Sequence, residues 1–177
     1  MKITLAIDTS TNRTSVAVIN GESLIWSESH EGASEHTESL IKLINDAMKQ
    51  IKNIDQVIVG MGPGPFTGLR AGIAFAQSFA FGRGIPCHGV CSLDAIATQF
   101  TDSEFIVATD ARRKEVYWAH FKDGKRISGP NVSSPDQLPL IKTYYEFPNL
   151  LSFPKLSKVD EPMYLRHPDA VPTSERK

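Results

Sequence analysis

Two aspartates stand where short apolar runs give way to polar turns: Asp8 after "ITLAI" and before "TSTNRT", and Asp110 after "EFIVAT" and before "ARRK". A carboxylate at a strand end, followed by hydroxyls, can position a metal-bound water, while Thr9, Ser10 and the backbone amides hold a phosphate. The same residues also suit a plain turn in which Asp8 and the hydroxyls satisfy local amides. Both readings stand for Asp8, Thr9, Ser10 and Asp110, the second making any phosphate site a vestige.

A second candidate for phosphate chemistry is the loop "GMGPGPFTGLRAG" at 60–72. A phosphate loop of the Walker type needs glycine, four residues, glycine, lysine and a hydroxyl residue. Here Leu69 and Arg70 follow Gly68, and no glycine of the loop lies five before another. The dinucleotide pattern fails too, since Thr67 stands where its third glycine belongs. Pro63 and Pro65 each remove a backbone donor, which suits an anion nest poorly. The loop reads instead as a rigid turn that launches a helix.

Other catalytic signatures are weak. In "HTESL" a helical zinc pair would need histidine at positions 36 and 40, but residue 40 is leucine. Cys87, His88 and Cys91 lie close together in "PCHGVC", with too few ligands to close a zinc site, and the cysteines read as small apolar side chains. There is no Gly-x-Ser-x-Gly elbow. No metal and no cofactor are therefore expected.

The elements that carry these residues form a repeat. "ITLAI", Asp8, a polar turn, "SVAVI", Asn20-Gly21 and "SLIWSES" read as three strands with a tight hairpin; "EFIVAT", Asp110, "ARRK", "EVYWAHF", Asp123-Gly124 and "KRIS" repeat that grammar. Between them, apolar spacing predicts a helix over 34–51 with Ser34 as N-cap, a strand from Gln56, a helix over about 67–81 ended by "GRGIP", a strand "CHGV", and a short helix capped by Ser92. The fold class is α/β, with mixed sheets flanked by helices. After Ser128 only 49 residues remain, rich in proline, so the second lobe reads as shortened. The boundary falls at 1–102 and 103–177.

The helix after the loop is apolar nearly all round. Gly68, Gly72, Ala76 and Ala80 recur every fourth residue, a smooth stripe that would let another helix approach, while Leu69, Ile73 and Phe79 occupy other faces. With Leu40, Leu43, Ile44 and Ala47 of the preceding helix they make a candidate partner-binding surface, unless the two helices simply cover each other.

Composition bounds the partners. Of 177 residues 41% are hydrophobic and 22% charged, and 19 basic against 20 acidic residues give a net charge of −1. Nothing global draws the chain to nucleic acid or an anionic membrane. The opening run is interrupted by Asp8 well short of a leader's apolar core, and no stretch is long enough to span a bilayer, so a cytoplasmic location is expected.

Taken together, "AIDTST", "GMGPGPFTGLRAGIAFAQSFAFGRGIP", "GVCSLDAIA", "TDARRKEVYWAHF" and "EPMYLRHPDA" resemble the TsaB, or YeaZ, family of dimerisation subunits of the bacterial tRNA threonylcarbamoyladenosine complex. The resemblance covers most of the chain and is weakest over 125–158. It implies duplicated actin-like (ribonuclease H-like) lobes and a catalytically inert relative of TsaD, which transfers threonylcarbamoyl to the tRNA adenosine beside the anticodon. TsaD-type enzymes carry a metal-binding histidine pair on the first helix; of that pair only His36 remains. The resemblance further implies pairing with TsaD, or with a second copy, through the first two helices, with TsaE and tRNA joining the assembly. The competing expectation is an enzyme acting alone, a weak ATPase using Asp8 and Asp110 or a glycoprotease-like peptidase.

Overall fold

The computed structural model describes residues 1–32 and 35–166. Its first sheet is built around β1 (Ile3–Asp8), antiparallel to β2 (Arg13–Asn20) and parallel to β4 (Gln56–Gly60). The strand order continues outward through β3 (Ser23–Glu31) on one side and β5 (Cys87–Val90) on the other. β1 is apolar on both faces because both faces are covered. Leu5, Ile7, Val16, Val18, Val57 and Val59 point to one side, where α1 (His36–Gln50) and α2 (Phe66–Arg83) pack. Ala6, Ala17, Ile19 and Ile58 point to the other.

Each helix has a reason to begin and end where it does. α1 buries Leu40, Leu43, Ile44 and Ala47 at helical spacing. Its expected cap, Ser34, lies outside the described residues. α2 starts directly after Pro65, whose fixed φ suits a helix entry. It stops at Gly84, which takes φ 64° and donates its N–H to the carbonyls of Ala80 and Phe81. α3 (Ser92–Ala97) begins at Ser92 itself, preceded by Cys91, and no side chain caps it.

The second sheet repeats the first. β6 (Glu104–Asp110) and β7 (Val116–Lys122) are antiparallel, β8 (Lys125–Ser133) follows, and β9 (Thr143–Tyr145) lies parallel to β6. The order β8-β7-β6-β9 matches β3-β2-β1-β4, so the duplication extends one strand further than the hairpins reveal. The two hairpins differ in their turns. In the second, Asp123 (φ 49°) and Gly124 (φ 73°) are both left-handed, as an Asx-Gly turn of the primed type requires. In the first, Asn20 remains in the strand opposite Ser23 and only Gly21 (φ 61°) is left-handed.

The chain then returns. A 3-10 segment, Leu150–Lys155, sets Leu150 and Phe153 against the far face of the first sheet, and β10 (Lys158–Val159) pairs with β5. A boundary at 102/103 falls where the chain passes between the sheets, but residues 150–159 belong with the first.

Candidate functional site

The Asp8 turn is closed by its own hydrogen bonds. One carboxylate oxygen accepts from the Ser10 amide (2.9 Å) and hydroxyl (2.7 Å), and the other accepts from Ser92 Oγ (2.7 Å). Asp8 is 1% exposed. Burial pushes its carboxyl above the usual range, and the bonds from Ser92 and Ser10 oppose that shift. Both oxygens are therefore used inside the protein. Ser92, read from sequence as a helix cap, is instead the tie between α3 and the first turn. Its partner lies 84 residues away, so no local pattern announces it.

The glycine loop explains itself against this turn. A side chain at Gly60 would collide with Asp8 Oδ2, one at Gly64 with the carbonyl of Ser10, and one at Gly72 with Thr9 Oγ1. A Cβ at Gly68 would sit 2.8 Å from the Thr9 carbonyl and 3.1 Å from His36 Nε2. Thr9 Oγ1 donates to the carbonyl of Gly68 at 2.8 Å. The glycines admit the chain's own Thr9–Ser10 backbone. The Thr9–Ser10 turn lies directly against Gly64, Gly68 and Gly72.

His36 is likewise engaged. It is buried, with Nδ1 2.8 Å from Thr14 Oγ1. Burial lowers its pKa, and the positive Arg112 lowers it further, so the ring is held neutral. Leu40, at the position of a second helical ligand, is 1% exposed in the core. No group of three His, Cys, Asp or Glu side chains suited to a metal ion occurs among the described residues. Cys87 and Cys91 are both free thiols, and burial pushes Cys91 up to about 12.

Asp110 repeats the local geometry of Asp8 with a different outlook. Its Oδ1 accepts the Arg112 amide at 2.8 Å, as Asp8 accepts that of Ser10. Unlike Asp8 it is exposed, and it faces a cavity of about 220 Å³ between the two turns, lined also by Thr11, Pro65, Arg112 and Tyr145. Asp8 does not line this cavity. A larger hollow, about 880 Å³, lies at the opposite end of β6 and β7, beside the ion pair of Arg126 and Asp94 (2.9 Å).

The expected partner surface needs correction. Leu40, Leu43, Ile44, Ala47, Gly68, Leu69, Gly72, Ile73, Ala76 and Ala80 are all buried within the chain, and Phe79 is half-buried. The smooth stripe faces inward because Thr9 presses on its first two glycines. The outward faces of the same helices carry Ile41 (51% exposed), Ala74, Ser78, Phe81 (90% exposed) and Gly82, with Phe75 and Phe79 half-exposed and stacked at 5.9 Å. Ala74, Ser78 and Gly82 form a second every-fourth small stripe, and Gly82 has open space before it. Two such stripes on one helix are indistinguishable until the packing is known.

The chain is similar to known proteins in sequence and in fold. Residues 30–150 match the family model described as TsaD: tRNA N6-adenosine threonylcarbamoyltransferase. The chain is 38% identical over 205 aligned residues to uncharacterized protein ML0378 of Mycobacterium leprae, covering 97% of this chain and 57% of that one. It is 34% identical to the tRNA threonylcarbamoyladenosine biosynthesis protein TsaB of Escherichia coli, covering 67% of this chain and 54% of the relative. The chain thus spans a little over half the length of these relatives. Among solved structures, a protein with similarity to peptidase YEAZ from Pseudomonas aeruginosa superposes with a TM-score of 0.76 at 22% identity, over 94% of this chain and all of the other. YeaZ from Pseudomonas aeruginosa superposes with 0.69 at 25% identity, over 82% of this chain and 75% of the other. The fold is the duplicated actin-like α/β arrangement of these proteins. Among the described residues no helix is long and apolar enough to cross a membrane.

Proposed function

Because the chain belongs to the TsaB (YeaZ) family, we propose that it is a non-catalytic scaffold that supports TsaD in threonylcarbamoyl transfer to the tRNA adenosine beside the anticodon. The observation that carries this reading is Asp8: both carboxylate oxygens are occupied by Ser10 and Ser92, the group is buried, and Thr9 and the glycine loop fill the space around it. A carboxylate so buried, with each oxygen already accepting from the chain's own groups, is poorly placed to take a substrate or a metal. His36 is bound to Thr14 and lacks a second helical ligand. The engagement of Asp8 and His36 within the chain favours the scaffold reading over an ATPase or a peptidase acting alone.

Partner binding is assigned to the outward faces of α1 and α2. Ile41, Ala74, Phe75 and Phe81 expose apolar surface, and Ala74, Ser78 and Gly82 allow a helix to approach closely. TsaD takes this face as a heterodimer partner, and a second copy takes it when TsaD is absent. TsaE and tRNA join through the assembled complex, in the cytoplasm and without a cofactor held by this chain.

The test is co-expression with a TsaD protein followed by sizing chromatography and calorimetry. The wild type is expected to form a stable complex and to support tRNA modification. Ile41→Glu and Ala74→Glu are expected to weaken it at least tenfold, each costing about 1.4 kcal/mol or more, with unchanged circular dichroism. Gly72→Leu or Ala76→Glu would not serve, since those residues lie in the core. Undiminished affinity in both outward variants would overturn the assignment.

A further inference from the structure

We infer that the cavity between the two aspartate turns is a binding site for a small zwitterion of α-amino-acid size. Three observations converge there. The first is size: about 220 Å³ is below the range of pockets that enclose drug-sized ligands, too small for a nucleoside triphosphate and sufficient for one amino acid. The second is a buried group with nothing to bond. Thr109 is 7% exposed, alternates with Phe105 and Val107 onto the face of β6 that meets α3, and lines the cavity, yet its Oγ1 has no hydrogen-bond partner. Buried hydroxyls rarely remain so unless a ligand or water completes them.

The third is charge. Asp110 and Glu146 bring two carboxylates to the cavity and Arg112 one guanidinium. Among the described residues, none of the three takes part in an ion pair with another protein side chain. A phosphate or simple carboxylate would meet the two acidic groups unfavourably, and a simple amine would meet Arg112. A zwitterion satisfies both: its ammonium lies toward Asp110 and Glu146, its carboxylate takes the guanidinium fork of Arg112, and Thr109 Oγ1 bonds one end. Pro65, Tyr145 and Phe147 supply an apolar wall for the side chain.

Arg112 is held for this role. Arg112, Arg113 and Lys114 have φ of 60°, 55° and 62°, three successive non-glycine residues in the left-handed region, where such residues normally occur singly. The turn is closed by Ala111 N–H to the Glu115 carbonyl (2.9 Å) and Glu115 N–H to the Arg112 carbonyl (3.0 Å), and Arg166 donates to the Ala111 carbonyl (2.9 Å). Strain of this kind persists where surrounding structure enforces it, often at binding sites.

The experiment is calorimetric titration of the full chain, without any partner protein, using L-leucine and L-phenylalanine beside leucinamide and N-acetyl-L-leucine. At least one free amino acid is expected to bind saturably, with each blocked analogue about tenfold weaker or more. Arg112→Gln and Thr109→Val are expected to weaken binding about tenfold and about threefold while the melting temperature stays within a few degrees. No saturable binding of either amino acid, equal binding of leucinamide, or undiminished binding by Arg112→Gln would overturn the assignment. Because no TsaD is present, failure here leaves the scaffold reading standing, and loss of TsaD binding leaves this one standing.

Discussion

Ser92 and Asp8, 84 residues apart, share a hydrogen bond of 2.7 Å that fastens the first turn of α3 to the end of β1. Ser92 is wholly buried, so nothing replaces this bond when it is lost. Ser92→Ala should lower stability by about 1–3 kcal/mol, the usual cost of leaving a buried polar group without its partner, and the melting temperature by roughly 2–10 °C. Thermal unfolding measures it. An unchanged midpoint would mean that the Asp8 carboxyl is held by Ser10 alone.

Two glycines of α2 should respond oppositely to alanine. At Gly72 a methyl group would strike Thr9 Oγ1, and overpacking costs about 1–3 kcal/mol, more than the helix propensity gained. At Gly82 nothing lies within reach, so alanine should stabilise the free chain by about 0.5–1 kcal/mol. Chemical denaturation of Gly72→Ala and Gly82→Ala checks the sign at both positions.

His36 makes stability depend on pH. Burial depresses its pKa from the ordinary 6.5. The unfolded chain therefore binds a proton near pH 6.5 while the folded chain does not, and stability is lost as pH falls from 6.5 toward the folded value. His36→Asn, which can keep the bond to Thr14, should flatten the curve in that window. A melting temperature that falls equally with pH in both proteins would contradict this.

Asp8 acts with the opposite slope. Its folded pKa is raised from 3.8, so the folded chain holds a proton that the unfolded chain has released. Stability attributable to Asp8 is full below pH 3.8 and declines as pH rises through the folded value. Asp8→Asn removes the titration and can retain the bond to Ser92, whose hydroxyl turns to accept. The variant should gain on the wild type as pH rises above 3.8 and then hold a constant advantage.

What sequence could read depended on whether a signal was local. The strands β1 to β3, the helices α1 and α2 and the repeat about Asp110 follow from apolar period and turn chemistry, which are properties of neighbours along the chain. The stripe of Gly68 and Gly72 was equally plain, but its spacing says only that something approaches closely. That Thr9, and not another helix, does so depends on the parallel pairing of β1 with β4, which brings the first turn over the loop. β9 is three residues long and gives no period to detect. The unpartnered hydroxyl of Thr109 is a statement about absent neighbours, which no sequence pattern contains.

The return of residues 150–159 to the first sheet has a consequence for synthesis. One face of that sheet, with Ala6, Ala17, Ile19 and Ile58, is covered chiefly by Leu150 and Phe153. A nascent chain that has finished all five earlier strands of the sheet still shows this face to water, and to the ribosome and its chaperones. The last tenth of the described chain is expected to act as a latch that closes this face. A stop after residue 149 should yield an aggregate, not a smaller working lobe.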